Sequence, residues 1–327
     1  MRSAGLGLAL LGIVGANGQA EGPPTEVAEA VIWAYPKGPP AKLPEVPPGD
    51  YHVKGSELTF SAAALNNLSE PPDWFPHQHP PMPFIVIHSH PKGADGCAEC
   101  HLPGGQGFLE VPDLAGLPAA YIKEQVHEFA SGRRRSSETG RIATQLMIDE
   151  AKAVSEDDLD AAAKYFASVP QQAGWFKVVE TDRVPVTQGD YYGWVDLVPG
   201  TGQEPIGGRI VELAENFTRL MISDPNFGVR VYVPPGTIQR GAALARRTGA
   251  TGQSCLVCHG ADARGTALGP PLANRSPSYL ARMLWDIKSG ARSGPAVALM
   301  QPVAAQLTAA EITDLAGYLA SLPVTRL

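Results

Sequence analysis

The fold is decided by two pentapeptides, Cys97-Ala98-Glu99-Cys100-His101 and Cys255-Leu256-Val257-Cys258-His259. Together they contain all four cysteines of the 327-residue chain. At this chain's own frequencies of Cys and His, two such pentapeptides arise by chance in roughly one chain in a million. The repeated spacing therefore reflects a chemical requirement.

Cys-x-x-Cys-His is the attachment pattern of haem c. On a tight helical turn, two thiols separated by two residues each add to one vinyl group of the porphyrin, and the adjacent imidazole ligates the iron. We expect two covalently attached haem c groups. The predicted attachment residues and proximal ligands are Cys97, Cys100 and His101 for the first haem, and Cys255, Cys258 and His259 for the second.

Three other uses of cysteine pairs fit less well. Zinc knuckles place their two pairs about 15 to 20 residues apart, whereas more than 150 residues separate these pairs. The flanking stretches 93–96 and 251–254 do not suggest the βαβ unit of a thioredoxin-like redox pair. Structural disulfides suit an exported protein, but they give no reason for a histidine after each pair.

An internal repeat relates the two halves of the chain. Adding 158 to a residue number superimposes the pentapeptides and their flanks up to the loop that follows Gly132 or Gly290, and from Met147 onwards the offset is 153. The matched pairs include Pro112 and Pro270, Leu114 and Leu272, Tyr121 and Tyr279, Met147 and Met300, and Tyr165 and Tyr318. The chain thus contains two copies of one haem-binding unit that differ in the length of a loop.

Each copy is predicted to be mainly helical after its pentapeptide. Apolar residues at helical spacing predict helices over 118–131 and 278–289, each followed by a glycine stop. The last helix of each unit starts at a Ser or Thr cap with an acid three residues later. The second unit also has an opening helix near 238–247, whereas the first has only Phe84-Ile85-Val86-Ile87, which favours an apolar strand or a short buried segment.

The sixth iron ligands are predicted to be Met147 and Met300. These two methionines correspond under the repeat and lie 46 and 41 residues after the proximal histidines. A thioether can close the distal face of a haem, and Met/His ligation raises the reduction potential. The alternative is that both methionines fill the core.

Several residues before the first pentapeptide compete for the first iron: Met82, His77, His79, His88 and His90. The four histidines also suit a separate metal site, but in a Pro-rich loop the more common outcome is that they are solvated. Arg133-Arg134-Arg135 favours a solvated loop tip, and pairing with haem propionates or with an acidic partner is the alternative.

Composition places limits on the partners. With 44% hydrophobic residues the chain is globular, and its length suggests two domains of about 150 residues each. The formal net charge of −7 argues against a nucleic-acid partner. No run of about 18 or more apolar residues is present to span a bilayer.

Residues 1–20 are expected to be a secretory signal peptide. Arg2 precedes an apolar stretch over 6–16, and Gly18-Gln19-Ala20 supplies small residues for cleavage. Loss of this segment leaves a chain that starts near Glu21 with 25 basic and 33 acidic residues, a net charge of −8. Such a charge predicts electrostatic steering towards a basic partner, which salt would weaken.

The predicted architecture is mainly α, with five segments: 1–20 (signal peptide), 21–83 (Pro-rich N-terminal arm), 84–170 (first haem domain), 171–235 (connector) and 236–327 (second haem domain). The arm is expected to be extended with little regular structure. The connector contains short β-like runs at 176–179, 208–211 and 229–233. Its aromatic residues favour packing on the haem domains.

From Pro72 to Leu327 the chain resembles the diheme class I cytochromes c of bacterial periplasms. The resemblance rests on the two pentapeptides and on these stretches: Trp74-Phe75-Pro76, His79-Pro80-Pro81-Met82-Pro83, 115–121, 232–236 and Leu299-Met300-Gln301-Pro302. It implies two tandem class I cytochrome c domains in a periplasmic protein. It also implies that His101 and His259 are proximal ligands and Met147 and Met300 distal ligands.

The resemblance further implies that the carbonyls of Pro112 and Pro270 orient the two proximal histidines. One departure lies in the first unit, where Leu102 stands in place of the glycine that usually follows the haem histidine. That departure affects the expected loop geometry and leaves haem attachment unaffected.

The function expected from these residues is one-electron transfer in the periplasm. The expected partners are redox proteins: a dehydrogenase, a quinol-cytochrome c oxidoreductase or a terminal oxidase. A dedicated electron-accepting subunit of a periplasmic dehydrogenase is the first alternative. A diheme enzyme such as a peroxidase is the second, but an enzyme needs an open iron position, which a Met-ligated pair does not offer.

Overall fold

The computed structural model describes residues 29–40, 44–67, 69–90, 93–249 and 254–324, so the expected signal peptide lies outside the described residues. Twelve α-helices occur in the described part: α1 (Ala62–Leu65), α2 (Phe84–Ile87), α3 (Ala98–His101), α4 (Ala119–Ala130), α5 (Ile142–Ala153), α6 (Glu156–Ser168), α7 (Phe217–Met221), α8 (Thr237–Arg246), α9 (Cys255–His259), α10 (Pro277–Ser289), α11 (Gln301–Ala305) and α12 (Ala309–Ser321). None of them is long and apolar enough to span a bilayer.

Nine short strands accompany these helices in the same residues: β1 (Asp50–His52), β2 (Thr59–Ser61), β3 (Phe176–Glu180), β4 (Arg183–Pro185), β5 (Thr187–Gly189), β6 (Val195–Leu197), β7 (Gln203–Pro205), β8 (Val211–Ala214) and β9 (Val229–Val233). Six of the nine have only three residues. The mainly α fold with a partly β connector is confirmed.

The predicted helices of the repeat are confirmed. In each unit the helix that follows the attachment turn packs against the last helix, α4 against α6 and α10 against α12. The caps also form. The hydroxyl of Ser155 accepts a hydrogen bond from the Asp158 N–H at 3.2 Å, and Thr308 and Glu311 make a reciprocal capping box.

The opening helix of the second unit, α8, crosses α12 at close range. Gly241 permits this approach, because a Cβ at that position would lie 2.1 Å from the backbone oxygen of Asp314. The first unit has only the single turn α2 against α6. Ile85 and Val86 in α2 are buried, so the short buried segment is confirmed and the apolar strand is wrong.

The connector forms a three-stranded sheet in which β3 pairs parallel with β9, and β9 pairs antiparallel with β8. The β-like run expected at 208–211 lies later in the chain than predicted: strand β8 covers Val211–Ala214. Two antiparallel pairs, β4 with β7 and β5 with β6, lie outside this sheet. Trp175 and Phe227 join the largest hydrophobic core together with Leu319 of the second unit, so the connector packs on a haem unit as expected.

The arm differs from the extended segment that its prolines suggested. A 3₁₀ turn covers Glu29–Ala34, β1 and β2 form a hairpin, and Val31 and Tyr35 are fully buried against the second unit. Trp74 is also buried, and its indole N–H donates to the Ile222 carbonyl at 2.8 Å. Apolar side chains between the prolines fix the arm to the body of the protein.

A buried ion pair joins the two units. The guanidinium of Arg275, just before α10, contacts the carboxylate of Asp113 in the first unit. It also donates to the carbonyls of Asp113 and Ala115, both at 3.1 Å. Both charged side chains are less than 5% exposed. These contacts link the segment before α10 to the first unit.

Candidate functional site

Each predicted proximal histidine is held by the carbonyl of a proline eleven residues later. The Nδ1–H of His101 donates to Pro112 O at 2.9 Å, and that of His259 donates to Pro270 O at 2.8 Å. A carbonyl can only accept, so the proton is on Nδ1 and the lone pair of Nε2 is available to a metal. This is the carbonyl contact that the family resemblance implied.

Both imidazoles are neutral at physiological pH. Burial lowers the pKa of His101 to about 4, and burial also lowers the pKa of His259. Neutral imidazole is the form that binds iron. In both side chains the contact at Nδ1 thus leaves Nε2 as the nitrogen that can bind iron.

The cysteines lie on the short helices that end at these histidines. Among the described residues the four cysteines form no disulfide. Burial raises the pKa of the Cys97 thiol to about 12, and burial raises that of Cys255. A reactive redox pair or a thiolate metal site needs a depressed thiol pKa, so this environment fits uncharged thioether sulfur.

The two candidate distal methionines occupy equivalent places. Met147 lies within α5 and packs in a cluster with Phe129 and Ala151. Met300 lies at the start of α11 and packs in a cluster with Ile287 and Ala304, which are the repeat counterparts of those two residues. Ligation of iron by these methionines stays a prediction. The rival Met82 packs in another cluster, with Val86 and Ala98.

A buried polar cluster joins the two units beside the haem-binding helices. Arg134 of the first unit donates to the Tyr279 hydroxyl of the second at 3.2 Å, and Arg292 of the second donates to the Tyr121 hydroxyl of the first at 3.4 Å. Both guanidiniums also donate to Gln125 Oε1, at 2.9 and 2.7 Å. Arg134 and Arg292 correspond under the offset of 158, so the contact is reciprocal.

This cluster has excess positive charge. Burial raises the pKa of Tyr121, but the positive charges of Arg292 and Arg134 outweigh burial and lower it below its usual value. Within the part of the chain that the structure describes, Arg134 Nε and Gln125 Nε2 are buried without a hydrogen-bond partner. Both Nη atoms of Arg141, which is also buried, are in the same state. Donors of this kind fit carboxylates such as haem propionates.

The arginine triplet is therefore only partly the solvated loop tip that the sequence favoured. Arg133 and Arg135 are exposed, whereas Arg134 is buried at the interface. Sequence reasoning missed this role, although Gly132-x-Arg134 and Gly290-x-Arg292 match under the repeat and carried the signal. Because this loop recurs in both units, its arginine is expected to have the same structural role in each.

Two of the histidines before the first pentapeptide pair closely with separate carboxylates. His79 lies 3.1 Å from Asp73, and His90 lies 3.2 Å from Asp158. The side chain of His79 is buried, which corrects the expectation that it is solvated, and its hydrogen bond with Asp73 raises its pKa. In the described residues no three His, Cys, Asp or Glu side chains come together as a metal site.

Comparisons with known proteins agree with this geometry. The family model described as cytochrome c matches residues 93–170 and 238–323, half of the chain in two parts. The thiosulfate dehydrogenase electron acceptor of Thiomonas intermedia is 25% identical over 238 residues, which cover 72% of this chain and 82% of that protein. Cytochrome c4 of Pseudomonas aeruginosa is 23% identical over 230 residues, which cover 69% and 83%.

Among solved structures, reduced cytochrome c4 from Pseudomonas stutzeri is 22% identical, with a TM-score of 0.44. The match covers 69% of this chain and 93% of that one.

Proposed function

The chain belongs to the cytochrome c family, and we propose that it carries single electrons between redox proteins of the periplasm. It has two cytochrome c domains and two covalently attached haem c groups. The observation that carries the proposal is the paired arrangement of two imidazoles, each held by a proline carbonyl and each directly after a Cys-x-x-Cys pair.

The two attachment turns would hold the haem groups. Cys97 and Cys100 would form the thioethers of the first haem, and Cys255 and Cys258 those of the second. His101 and His259 would ligate the irons through Nε2. When bound, the haem iron supplies one-electron chemistry by cycling between the ferrous and ferric states.

The distal methionines make a carrier the better proposal than an enzyme. A thioether from Met147 or Met300 would fill the sixth position, so neither iron would have an open site for a peroxide or another substrate. The matched relatives are electron-transfer cytochromes and electron-acceptor proteins, which supports the same choice.

The interface cluster supports exchange between the two haem groups. Arg134 and Arg292 each reach from one unit to the other, and Arg134 Nε is left as a buried donor for a propionate. The buried pair of Arg275 and Asp113 keeps the units docked. Side chains of each domain would thereby help to neutralise the propionates of the haem in the other domain.

The second candidate is a dedicated acceptor for one dehydrogenase. It is favoured by the match with the thiosulfate dehydrogenase electron acceptor over most of the length of that protein. The test is the reduction of the holoprotein by purified thiosulfate dehydrogenase and thiosulfate in a stopped-flow spectrometer. Reduction only at the rate of a control that lacks the enzyme would remove this candidate.

Export to the periplasm is part of the proposal and rests on residues 1–20. N-terminal sequencing of the protein from a periplasmic extract should give a chain that starts near Glu21. Retention of residues 1–20 on the purified protein would contradict it.

The main experiment combines mass spectrometry with two methionine variants. The denatured polypeptide should be heavier by two haem groups that acidified organic solvent does not extract. Met147→Ala and Met300→Ala should each let one reduced haem bind carbon monoxide, a different haem in each variant. If Met147→Ala leaves the spectrum unchanged, the first iron takes its ligand from Met82 or from one of the upstream histidines.

A further inference from the structure

An open groove of about 500 Å³ lies beside α4, where the two units meet. We call it the α4 groove, and the residues that line it include Ala120, Glu124, His127 and Glu128 of α4, Arg133 of the following loop, and Pro295 of the second unit. At a rise of 1.5 Å per residue the α4 positions span about 12 Å. A six-residue 3₁₀ segment, with a rise of about 2.0 Å per residue, has the same length. The groove therefore has room for a short peptide segment.

The internal repeat places this face of α4 on a face of α10 in the second unit. The pairs that correspond under the offset of 158 are Glu124 and Arg282, His127 and Trp285, and Glu128 and Asp286. The three α10 residues are at most 8% exposed, whereas Glu124 and His127 are exposed. The same helix face is thus covered in one unit and open in the other.

The cover on α10 is the N-terminal arm. The Tyr35 hydroxyl donates to Asp286 Oδ1 at 2.8 Å, and Arg282 donates to the Ala34 carbonyl at 2.8 Å. The arm residues that precede Tyr35 form the six-residue 3₁₀ turn Glu29–Ala34. This face of the haem unit is therefore one on which a peptide segment binds, through a helix side chain that recognises the backbone of the segment.

The loops that border the two faces also exchange places. Ser137 of the first unit donates its N–H and its hydroxyl to Asp286 on α10, at 2.8 and 2.7 Å. From the second unit Gly294 approaches Glu128 on α4, since a Cβ at position 294 would lie 2.8 Å from Glu128 Oε2. Each unit thus borders the groove of the other, and the α4 groove is the symmetry counterpart of the site that the arm occupies.

Charge distinguishes the open groove from the covered one. The basic side chains around it each contact a carboxylate at 2.8 to 2.9 Å: Lys123 contacts Asp160, His127 contacts Glu156 and Arg133 contacts Glu128. Glu124 is exposed and makes no ion pair with any residue that the structure describes. The α4 groove therefore presents an uncompensated carboxylate at the position where α10 presents the Arg282 guanidinium.

We propose that the α4 groove binds a short basic segment of a partner protein, in the place where α10 binds the arm of this chain. Glu124 would accept a hydrogen bond from a Lys or Arg side chain of that segment. The proposal goes beyond electron transfer, because binding of the segment requires no chemistry at either haem.

The charge of the first domain favours a basic occupant at longer range. Residues 93–170 contain thirteen Asp and Glu against seven Lys and Arg, a formal charge of −6. Such a field attracts a cationic segment before contact is made. At contact, a hydrogen bond between an ammonium or guanidinium group and the carboxylate of Glu124 is stronger than one between neutral groups.

Two synthetic peptides based on the arm are the probes. Both have the sequence of residues 29–37, with Ile32→Lys and Ala34→Lys in the basic peptide and Ile32→Glu and Ala34→Glu in the acidic one. A dansyl group at the N-terminus reports binding to the holoprotein, because haem quenches its fluorescence at close range. We expect the basic peptide to bind at least about tenfold more tightly than the acidic one. Binding of neither peptide, or equal or tighter binding of the acidic one, would overturn the proposal.

Glu124→Lys tests the charge of the groove. We expect the Kd of the basic peptide to rise about tenfold or more, since a hydrogen bond between charged groups is replaced by a repulsion. Asp149→Lys, at an exposed carboxylate on α5 that does not line the groove, gives the same change in net charge and is the matched control. It should raise the Kd less than about twofold, because salt screens a distant charge. Equal rises in the two variants would show that total charge decides and would overturn the proposal.

Ala120→Trp tests the shape of the groove. Ala120 is exposed, and an indole at this position would fill the groove without a change of charge. We expect this variant to lose binding of the basic peptide, whereas Ala153→Trp, at the exposed end of α5, should retain it. Full binding by Ala120→Trp would mean that the peptide binds elsewhere on the protein, which overturns the proposal.

A second copy of this chain is the competing occupant. Sedimentation velocity of the unmodified holoprotein and of Ala120→Trp distinguishes the two. A monomer in both cases supports a different partner protein, and a dimer that Ala120→Trp dissociates would overturn the proposal. Haem content by mass and full reduction by dithionite are measured on every variant, so a failure of the carrier function is recognised separately from a failure of peptide binding.

Discussion

Replacement of Arg275 by leucine tests how the two haem domains are held together. Arg275 is buried and pairs with the buried carboxylate of Asp113 across the interface. The substitution removes the positive charge at position 275. The Gln171 side-chain nitrogen, 3.3 Å from Asp113 Oδ2, then remains as the nearby side-chain donor to Asp113. Removal of one partner of a buried ion pair costs about 3–5 kcal/mol, since the other charge stays buried without compensation.

The loss should depend on pH in a defined direction. Burial raises the pKa of Asp113 to about 6, although Arg275 opposes this shift. Without Arg275 the pKa of Asp113 in the folded state rises further above its value in the unfolded state. The destabilisation is therefore small at low pH, where the Asp113 carboxyl is protonated, and it grows as the pH rises through the folded-state pKa of Asp113. R275L should therefore lose more stability at pH 8 than at pH 5.

The assay is guanidinium unfolding of the holoprotein, followed by far-UV circular dichroism at both pH values. R264L, at the exposed pair with Asp262, is the control and should lose less than about 1 kcal/mol. D113N/R275L should recover much of the loss, because no buried charge is left. A loss in R275L no larger than in R264L, or no recovery in the double variant, would refute the reasoning.

Three further predictions concern local contacts. Gly269→Ala would place a Cβ 2.9 Å from the second proximal imidazole, so it should shift the potential of one haem in a redox titration, whereas Gly208→Ala, in open space, should shift neither. Gly241→Ala forces α8 away from α12 and should lower stability by about 1–3 kcal/mol in the same unfolding assay; an unchanged midpoint would mean that the crossing adjusts freely. The raised pKa of His79 beside Asp73 means that their pair stabilises the fold below the unfolded histidine pKa and that this stability is lost as the pH rises through the folded pKa. Asp73→Asn should therefore destabilise the protein more at pH 5.5 than at pH 8, and equal losses would contradict the pairing.

The parts of the fold that the sequence predicted are those with local causes. The last helix of the second unit starts at Thr308 because a hydroxyl and the acid at Glu311 satisfy backbone groups within one turn. The proximal histidine contacts were implied by the family resemblance, and the one from His101 to Pro112 also joins residues close in sequence. Contacts between residues this close in sequence leave a local sequence pattern, so they can be predicted without knowledge of the rest of the fold.

The interface and the arm left no such pattern. Arg134 meets Tyr279 across 145 residues, and no periodicity marks a contact of that separation. A triplet of arginines favours a solvated loop on composition alone, and only the fold shows that its middle member turns inward. The prediction of an extended arm was wrong for the same reason. Its Pro-rich composition gives no sign that apolar residues such as Tyr35 contact residues far away in the sequence.

Leu102 shows how a departure from the family pattern is accommodated. Its backbone has φ 61° and ψ 155°, close to the φ 87° and ψ 151° of its counterpart Gly260. Such a conformation costs about 1–3 kcal/mol in a residue with a Cβ. The side chain is 1% exposed in the largest core, and burial of a leucine contributes about 1.5–3 kcal/mol. Packing thus offsets the strain, and the loop keeps the shape that a glycine would give.

The position of Tyr35 sets an order of assembly. Its hydroxyl donates to Asp286, 251 residues later in the chain, and the carbonyl of its neighbour Ala34 accepts from Arg282 on the same helix, α10. During synthesis the arm emerges first, but its docking surface is completed only after the second unit has been made. Closure of so long a loop carries an entropic cost, so we expect the arm to dock after the second unit has formed. Resistance of this segment to proteases would then report that both domains are finished.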